Sequence, residues 1–393
     1  MHSIELIAGI VCLATWLYLL MARGGFWKAW RLQVPPLSPD EVDGTVAVVI
    51  PARDEAGVIG SSIRSLLAQK SVNSIHLFVV DDHSSDGTAQ AARQAARDCD
   101  LPDSVSVITG KDLPAGWTGK LWAVQQGVQE ALKLHPRFLF LTDADIQHSP
   151  DNVATLIAIA EAGKYDLASF MVKLHCRSFA ERLLIPPFVF FFFLLYPPDW
   201  IRDPRRRVAG AAGGCMLIRP DALNRAGGIA AIRNEIIDDC ALARAVKQSG
   251  GRVWLGLTSD THGARAYGSF TEIERVISRT AFNQLQHSAG LLVGAVIGLV
   301  ITYLFPLALI LTGDRALGAL GAVSWLLMSL AYAPMVQFYR LNPLWSFTLP
   351  ISACFYMPAT VHSAIKFWTG RGGEWKGRIQ DSTVVKRPSS RRA

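Results

Sequence analysis

The sequence predicts an α/β domain with a mostly parallel sheet, set among transmembrane α-helices. Three observations carry that expectation. Half of the 393 residues are hydrophobic. Apolar runs long enough to cross a bilayer stand towards both ends of the chain. Between them, short apolar strands alternate with helices. The formal charge of +7 first suggests nucleic acid. However, the basic residues sit beside apolar stretches, as in Arg23–Lys28–Arg31, Arg202–Arg205–Arg206–Arg207 and Lys386–Arg387–Arg391–Arg392. That placement suits anionic lipid headgroups and argues against a duplex partner. The six cysteines are scattered without a CxxC pair. Neither a disulfide framework nor a zinc site is expected, and a reducing compartment is.

Taken in order, residues 6–22 are almost wholly apolar. No basic region precedes them and no small-x-small cleavage site follows, so a secretory signal is the weaker reading. Basic residues come after them instead. Residues 1–34 therefore read as an uncleaved anchor whose carboxyl side is cytoplasmic. Residues 289–311 and 316–336 are two further spans, joined as a hairpin by Thr312-Gly313-Asp314-Arg315. Residues 344–367 carry Pro350, Pro358, His362 and Lys366; this segment either spans or dips in and returns. Residues 288–370 thus form a C-terminal membrane unit, and 371–393 a basic tail whose last dozen residues read as disordered. Three C-terminal spans would leave that tail outside the cell, whereas its charge favours the inside. A re-entrant last segment reconciles the two.

The middle, residues 35–287, is the α/β domain. Strands are expected at 46–50, 75–80, 105–108 and 138–142, and helices at 59–67, 88–97 and 121–134. In a parallel sheet of this kind, ligands bind beyond the carboxyl ends of the strands. Polar clusters fall at those ends: Pro51-Ala52-Arg53-Asp54-Glu55, then Asp81-Asp82, then Asp143-Ala144-Asp145. One such cluster is ordinarily a solvated turn; three in succession point to a site. The segment 178–200 breaks the pattern. Its core, LLIPPFVFFFFLLY at 183–196, looks too short and too broken by proline to span. It is either buried core or, as preferred here, a helix lying in the membrane interface.

Asp143 and Asp145, one residue apart after a strand, can share a divalent cation, Mg²⁺ or Mn²⁺, with room left for phosphate oxygens. Gln147 and His148 continue that loop and either can add a ligand; a solvated loop histidine is the plainer reading of His148. Aspartates at 81 and 82 can accept hydrogen bonds from a base or ribose, while Ser85 or Asp86 can simply cap the next helix. Lys120, in Gly116-Trp117-Thr118-Gly119-Lys120, opens a helix, where the dipole disfavours a cation unless an anion such as phosphate is near. A plain surface lysine is its alternative, and no Walker P-loop is present. Asp238 and Asp239 also open a helix. They are either ordinary first-turn acids or a general base with its neighbour. Two adjacent carboxylates repel, so one holds its proton more readily. Arg275 and Arg279, four residues apart on a helix, suit phosphate or the interface equally.

In the order VAVVIPARDE, FVVDDHSSDGT, GWTGK, FLFLTDADIQHSPD, GGCMLIRPDAL and IIDDCALA, these motifs resemble family 2 glycosyltransferases of GT-A fold, over roughly residues 45–285. With one anchor before and a hairpin after, the chain is most similar to the bacterial hopanoid-associated glycosyltransferase group. The resemblance implies transfer of one sugar, with inversion, from a UDP-sugar to a hydroxyl of a membrane lipid at the bacterial inner membrane. It places Pro51, Arg53, Glu55 and Asp82 on the nucleoside, and Asp143 and Asp145 on metal and diphosphate. It makes Asp239 the base, with Asp238 where the family usually has glutamate. The Gln/Arg-x-x-Arg-Trp motif of processive synthases is missing near Arg279, where Ile277-Ser278-Arg279-Thr280-Ala281-Phe282 stands, so chain polymerisation is not expected. The DADIQHSPD loop also looks like that of polyprenyl-phosphate sugar transferases, which keeps a phosphate acceptor open. A non-catalytic nucleotide-sugar-binding scaffold is the reading from another class.

Overall fold

The structure is a computed structural model that describes residues 2–28, 42–375 and 378–379. Expectations for Arg31, for the linker 29–41 and for the basic tail after residue 379 lie outside the described residues. Eight strands form one sheet: β1 (Val42–Ala52), β2 (Val72–Asp81), β3 (Val105–Thr109), β4 (Phe138–Leu141), β5 (Ile146–Gln147), β6 (Leu167–Lys173), β7 (Met216–Ile218) and β8 (Val253–Gly263). Their spatial order is β3-β2-β1-β4-β7-β6-β8-β5. The first four are mutually parallel. β7 runs antiparallel between β4 and β6, and β5 antiparallel to β8.

Register puts the polar loops together. Ala52 of β1 pairs with Asp81 of β2, and Val49 with Leu141 of β4. The three strands therefore end at one edge, and their PARDE, DDHS and DAD loops open side by side. Alternation along the strands divides the core. Val46, Val48 and Ile50 face α2 (Ala56–Leu67), α3 (Thr88–Asp98) and α5 (Asn152–Gly163). Ala47 and Val49 face α4 (Gly119–Leu132). That second core also takes in the apolar side chains of α9 (Asp238–Gln248) and continues into the membrane-type helices.

Four stretches are long and apolar enough to cross a membrane: Glu5–Ala22, Phe179–Arg202, Ala289–Ile310 and Arg315–Phe338. The first lies in α1 (His2–Ala22). The third comprises α11 (Ala289–Leu299) and α12 (Phe305–Ile310), linked by a π-helical turn at Val300–Leu304. The fourth is α13 (Arg315–Phe338), capped by Asp314, whose carboxylate accepts from the Ala316 and Leu317 N–H groups. The last helix, α14 (Leu349–Trp368), packs along α10 (Phe270–Gln284). Its polar residues meet partners there: His362 pairs with Glu274, and Lys366 donates to Ser278. Two short helices, α7 (Pro198–Arg202) and α8 (Pro220–Arg225), lie within the α/β domain.

The second stretch differs from the interfacial segment expected from sequence. α6 (Phe179–Leu195) starts four residues before that apolar run, at a capping box formed by Ser178 and Glu181. Its two prolines do not end it. Pro187 has no N–H to give the Leu183 carbonyl, four residues back; the Ser352 hydroxyl of α14 donates to it instead, at 2.8 Å. Tyr356 does the same for the next carbonyl, that of Leu184. The same device recurs on the other side, where Pro306 leaves the Thr302 carbonyl open and the Trp16 indole donates to it. Phe190 and Phe193 are buried in protein. Phe190 packs edge-on against Phe26 and Tyr332, and Phe191 against Tyr303 and Tyr356. The aromatic run of α6 is thus an interior helix wrapped by membrane-type helices, because its neighbours supply the apolar surface that lipid was expected to supply.

Candidate active site

At the shared strand edge lies a cavity of about 420 Å³. Of the residues singled out from sequence, Pro51, Arg53, Glu55, Lys120, Asp143, Asp145, Asp238 and Asp239 all line it. Asp82 stands just behind. It is buried, and Arg53 Nη1 donates to its carbonyl at 2.7 Å and to its carboxylate at 3.3 Å. Asp86 joins two helix starts, accepting from the Ala56 and Thr88 N–H groups; this is the capping role.

Lys120 sits at the centre. Its Nζ is 2.9 Å from Asp143 Oδ1 and 3.1 Å from Asp238 Oδ2. Burial works against its charge, but Asp143 and Asp238 outweigh that and hold its pKa above the ordinary lysine value. It is a fully engaged ammonium rather than a surface lysine. Asp239 lies beside it. The Gly213 N–H donates to one Asp239 oxygen at 2.9 Å, and the Cys240 N–H to the other at 2.7 Å. Burial, and next the charge of Asp238, raise the Asp239 pKa to about 6; Lys120 and the two N–H groups pull the other way. A carboxylate held by two backbone donors with a raised pKa has the properties of a general base.

Two participants escaped the sequence reading. Gly213 brings bare backbone to the centre, where a Cβ would sit 3.4 Å from Lys120 Nζ and 3.5 Å from Asp239 Oδ2. Arg265, just after β8, reaches Glu55 Oε2 at 2.6 Å and Asp145 Oδ2 at 3.0 Å. It ties the first strand loop to the fourth. The β5–β8 pairing brings it there, with the Ala264 N–H donating to the Asp145 carbonyl. A two-residue strand such as β5 leaves no pattern in sequence.

Gln147 and His148 fall elsewhere. Gln147 is on β5, pairs with His262, and is not among the cavity's lining residues, whereas its neighbour Ile146 is; alternate strand residues face opposite ways. His148 is buried, with its two ring nitrogens next to Thr142 Oγ1 and Asn152 Nδ2. Burial pushes its pKa down to about 3, so it is a neutral packing residue, neither solvated nor a ligand. Of the two arginines on α10, Arg279 lines the cavity and Arg275 does not.

The donor set suits a divalent cation of the Mg²⁺ or Mn²⁺ kind. Asp143 and Asp145 present two carboxylates to one cavity, each now balanced by a cationic side chain. Among the described residues no group of three or more His, Cys, Asp or Glu forms a closed cage. An ion held by one or two carboxylates keeps its remaining positions for phosphate oxygens and water. The rest of the cavity is different in kind. Ile185, Phe188 and Phe192 of α6, with Ile273, Val276 and Ile277 of α10, make an apolar wall.

Comparison with known proteins agrees with this geometry. Residues 47–227 match the model of glycosyl transferase family 2. An uncharacterized protein of Methanocaldococcus jannaschii is 28% identical over 141 residues, 36% of this chain and 50% of that protein. The chain's match thus spans half the length of that curated relative. A mannosyltransferase of Pyrobaculum calidifontis, solved with GDP-Man and Mn²⁺, superposes with a TM-score of 0.56 at 16% identity, covering 92% of this chain and 97% of that one. A glucosyl-3-phosphoglycerate synthase of Mycobacterium tuberculosis, solved with Mn²⁺, UDP-glucose and phosphoglyceric acid, gives 0.41 at 16% identity over 65% of this chain and 86% of that one. The sheet with its strand-edge cavity is a GT-A fold, and residues 47–227 form a domain that matches glycosyl transferase family 2.

Proposed function

We propose that this protein moves one sugar, with inversion, from a nucleotide-diphospho-sugar to a hydroxyl of a membrane lipid. The observation that carries the reading is the continuity of one cavity from Lys120, Asp143 and Asp239 to the apolar wall of α6 and α10. An apolar wall beside the charged centre suits an acceptor with a hydrocarbon part. The family resemblance supplies the remaining detail, a UDP-sugar donor and a hopanoid-type lipid as the first acceptor to test.

In this reading Arg53, held from behind by Asp82, and Glu55 hold the nucleoside end. A divalent cation bound at Asp143 and Asp145 would neutralise the diphosphate. Lys120 adds a fixed positive charge where negative charge collects as the bond between the anomeric carbon and phosphate breaks. The acceptor oxygen attacks that carbon from the opposite face, forming the new C–O bond. Its proton passes to Asp239, and the nucleoside diphosphate leaves. Chelation, or Asp145→Ala, should abolish transfer. Incubating membranes with a panel of radiolabelled UDP-sugars and extracting the lipids should give one labelled lipid. Label recovered only as free sugar would sink the reading.

A second reading has its own observation. Arg279 lines the cavity without a hydrogen-bond or ion-pair partner among the described residues, and an unpaired guanidinium suits a polyprenyl phosphate acceptor. That acceptor is already anionic and needs no base, so it would tolerate Asp239→Asn. We place the cell membrane as the location, with residues 35–287 on the cytoplasmic side. A cysteine introduced near Asp86 should then resist impermeant thiol reagents in intact cells; labelling without permeabilisation would invert the orientation.

A further inference from the structure

A second cavity, of about 550 Å³, adjoins the first and shares Thr118, Glu235 and Ile236 with it. Its chemistry is unlike that of the apolar wall. Arg233 and Arg244 both line it, together with the carboxamides of Asn234, Asn283 and Gln284. Neither arginine has a hydrogen-bond or ion-pair partner for its side chain among the described residues. Both are exposed, whereas the arginine beside the reaction centre, Arg265, is matched with the carboxylates of Glu55 and Asp145. One acid, Glu235, stands on the wall against the two guanidinium groups. The cavity's position is equally informative. Gln284 closes α10, and Ala289 opens a stretch apolar enough to span a membrane. The opening therefore lies at the level where headgroups would meet the protein.

We propose that this cavity is a binding site for a phosphate group, taken by Arg233 and Arg244 beside the reaction centre. Two planar guanidinium groups flanked by carboxamide donors suit the several oxygens of a phosphate monoester or diester. The group can come from an anionic phospholipid headgroup or from free phosphate. The site is separate from the carboxylates that would act on the sugar, so it stands whichever acceptor the protein uses. The wall formed by Thr118, Glu235 and Ile236 places its occupant against the reaction cavity.

The test is equilibrium binding to the full chain in detergent, with dihexanoyl phosphatidylglycerol, dihexanoyl glycerol and inorganic phosphate as probes. Phosphatidylglycerol should bind saturably, and at least tenfold more tightly than the phosphate-free dihexanoyl glycerol. The double substitution Arg233→Gln with Arg244→Gln should weaken it at least tenfold. Arg233→Lys with Arg244→Lys should lose less, and Arg205→Gln, a cation elsewhere on the surface, should lose nothing. Competition by millimolar inorganic phosphate would identify the free ion as the source; lack of competition would identify the headgroup. Equal binding of the two amphiphiles, or unchanged affinity in the Gln variant, overturns the proposal. Unchanged nucleotide binding in the same variant shows that it is folded.

Discussion

The two walls of the reaction cavity are built on opposite principles. On the strand side almost every charged group is held by another: Lys120 between Asp143 and Asp238, Arg265 between Glu55 and Asp145, Arg53 on Asp82. On the helix side Ile185, Phe188 and Ile277 offer shape and no polar contact. A charged lattice fixes atoms in place, as bond-making chemistry needs. An apolar wall accepts a family of shapes, and discriminates between them by only about 1–3 kcal/mol per methylene. In the proposed reading the chemistry falls to the strand-end loops together with the first turns of α4 and α9, and the choice of acceptor to α6 and α10.

Substitutions on each wall should separate accordingly. The largest effect belongs to Asp239→Asn, which removes the base and leaves an acceptor oxygen for only one of the two backbone donors. Transfer to a lipid hydroxyl should fall by about 10²–10⁴-fold, with the affinity for donor nucleotide unchanged. A variant that keeps wild-type rates would show that the strand wall does not perform the proton transfer. Next is Phe190→Ala, behind the apolar wall. Its ring is buried against Phe26 and Tyr332, so truncation should cost about 3–5 kcal/mol in stability, read from unfolding in detergent. A loss of only a few tenths would return α6 to a lipid-facing role.

Smaller still is Ile277→Asn, on the cavity face of α10. It should raise the KM for a lipid acceptor roughly tenfold, the equivalent of about 1.4 kcal/mol, and leave hydrolysis of the donor alone. Equal loss of both activities would mean that the walls are not independent. The mildest effect is on pH. Asp239 must be ionised to accept a proton, and its pKa is raised to about 6, first by burial and then by the Asp238 charge. The transfer rate should therefore be full above that pH and fall as pH drops through it. Asp238→Asn removes the second cause, so the acid limb should move to lower pH. A limb that stays in place would assign it to another group.

The strand wall was largely legible in the sequence, for a physical reason. Parallel strands that end together leave their polar residues adjacent along the chain, so PARDE, DDHS and DAD each announce themselves locally. Arg265 and Gly213 did not. Arg265 joins the site through a pairing of β5 with β8 that spans more than a hundred residues, and Gly213 contributes only a bare N–H. His148 was misread because burial cannot be seen in a loop sequence; Thr142 and Asn152 satisfy it from elements on either side. The helix wall was harder. Pro186 and Pro187 signalled a break, and the break was repaired from α14. Ser352 and Tyr356, four residues apart on one helical face, were the available sign that a neighbour had hydroxyls to give.

That repair has a consequence for how the molecule is made. Ser352 follows Leu183 by 169 residues. During synthesis the Leu183 carbonyl must wait, without its Ser352 partner, until α14 has left the ribosome. The apolar wall is accordingly completed after the charged one, whose residues all precede position 266. A chain arrested or truncated before residue 352 would carry a finished strand wall beside an unfinished helix wall. It should still retain nucleotide while losing the surface proposed to receive a lipid.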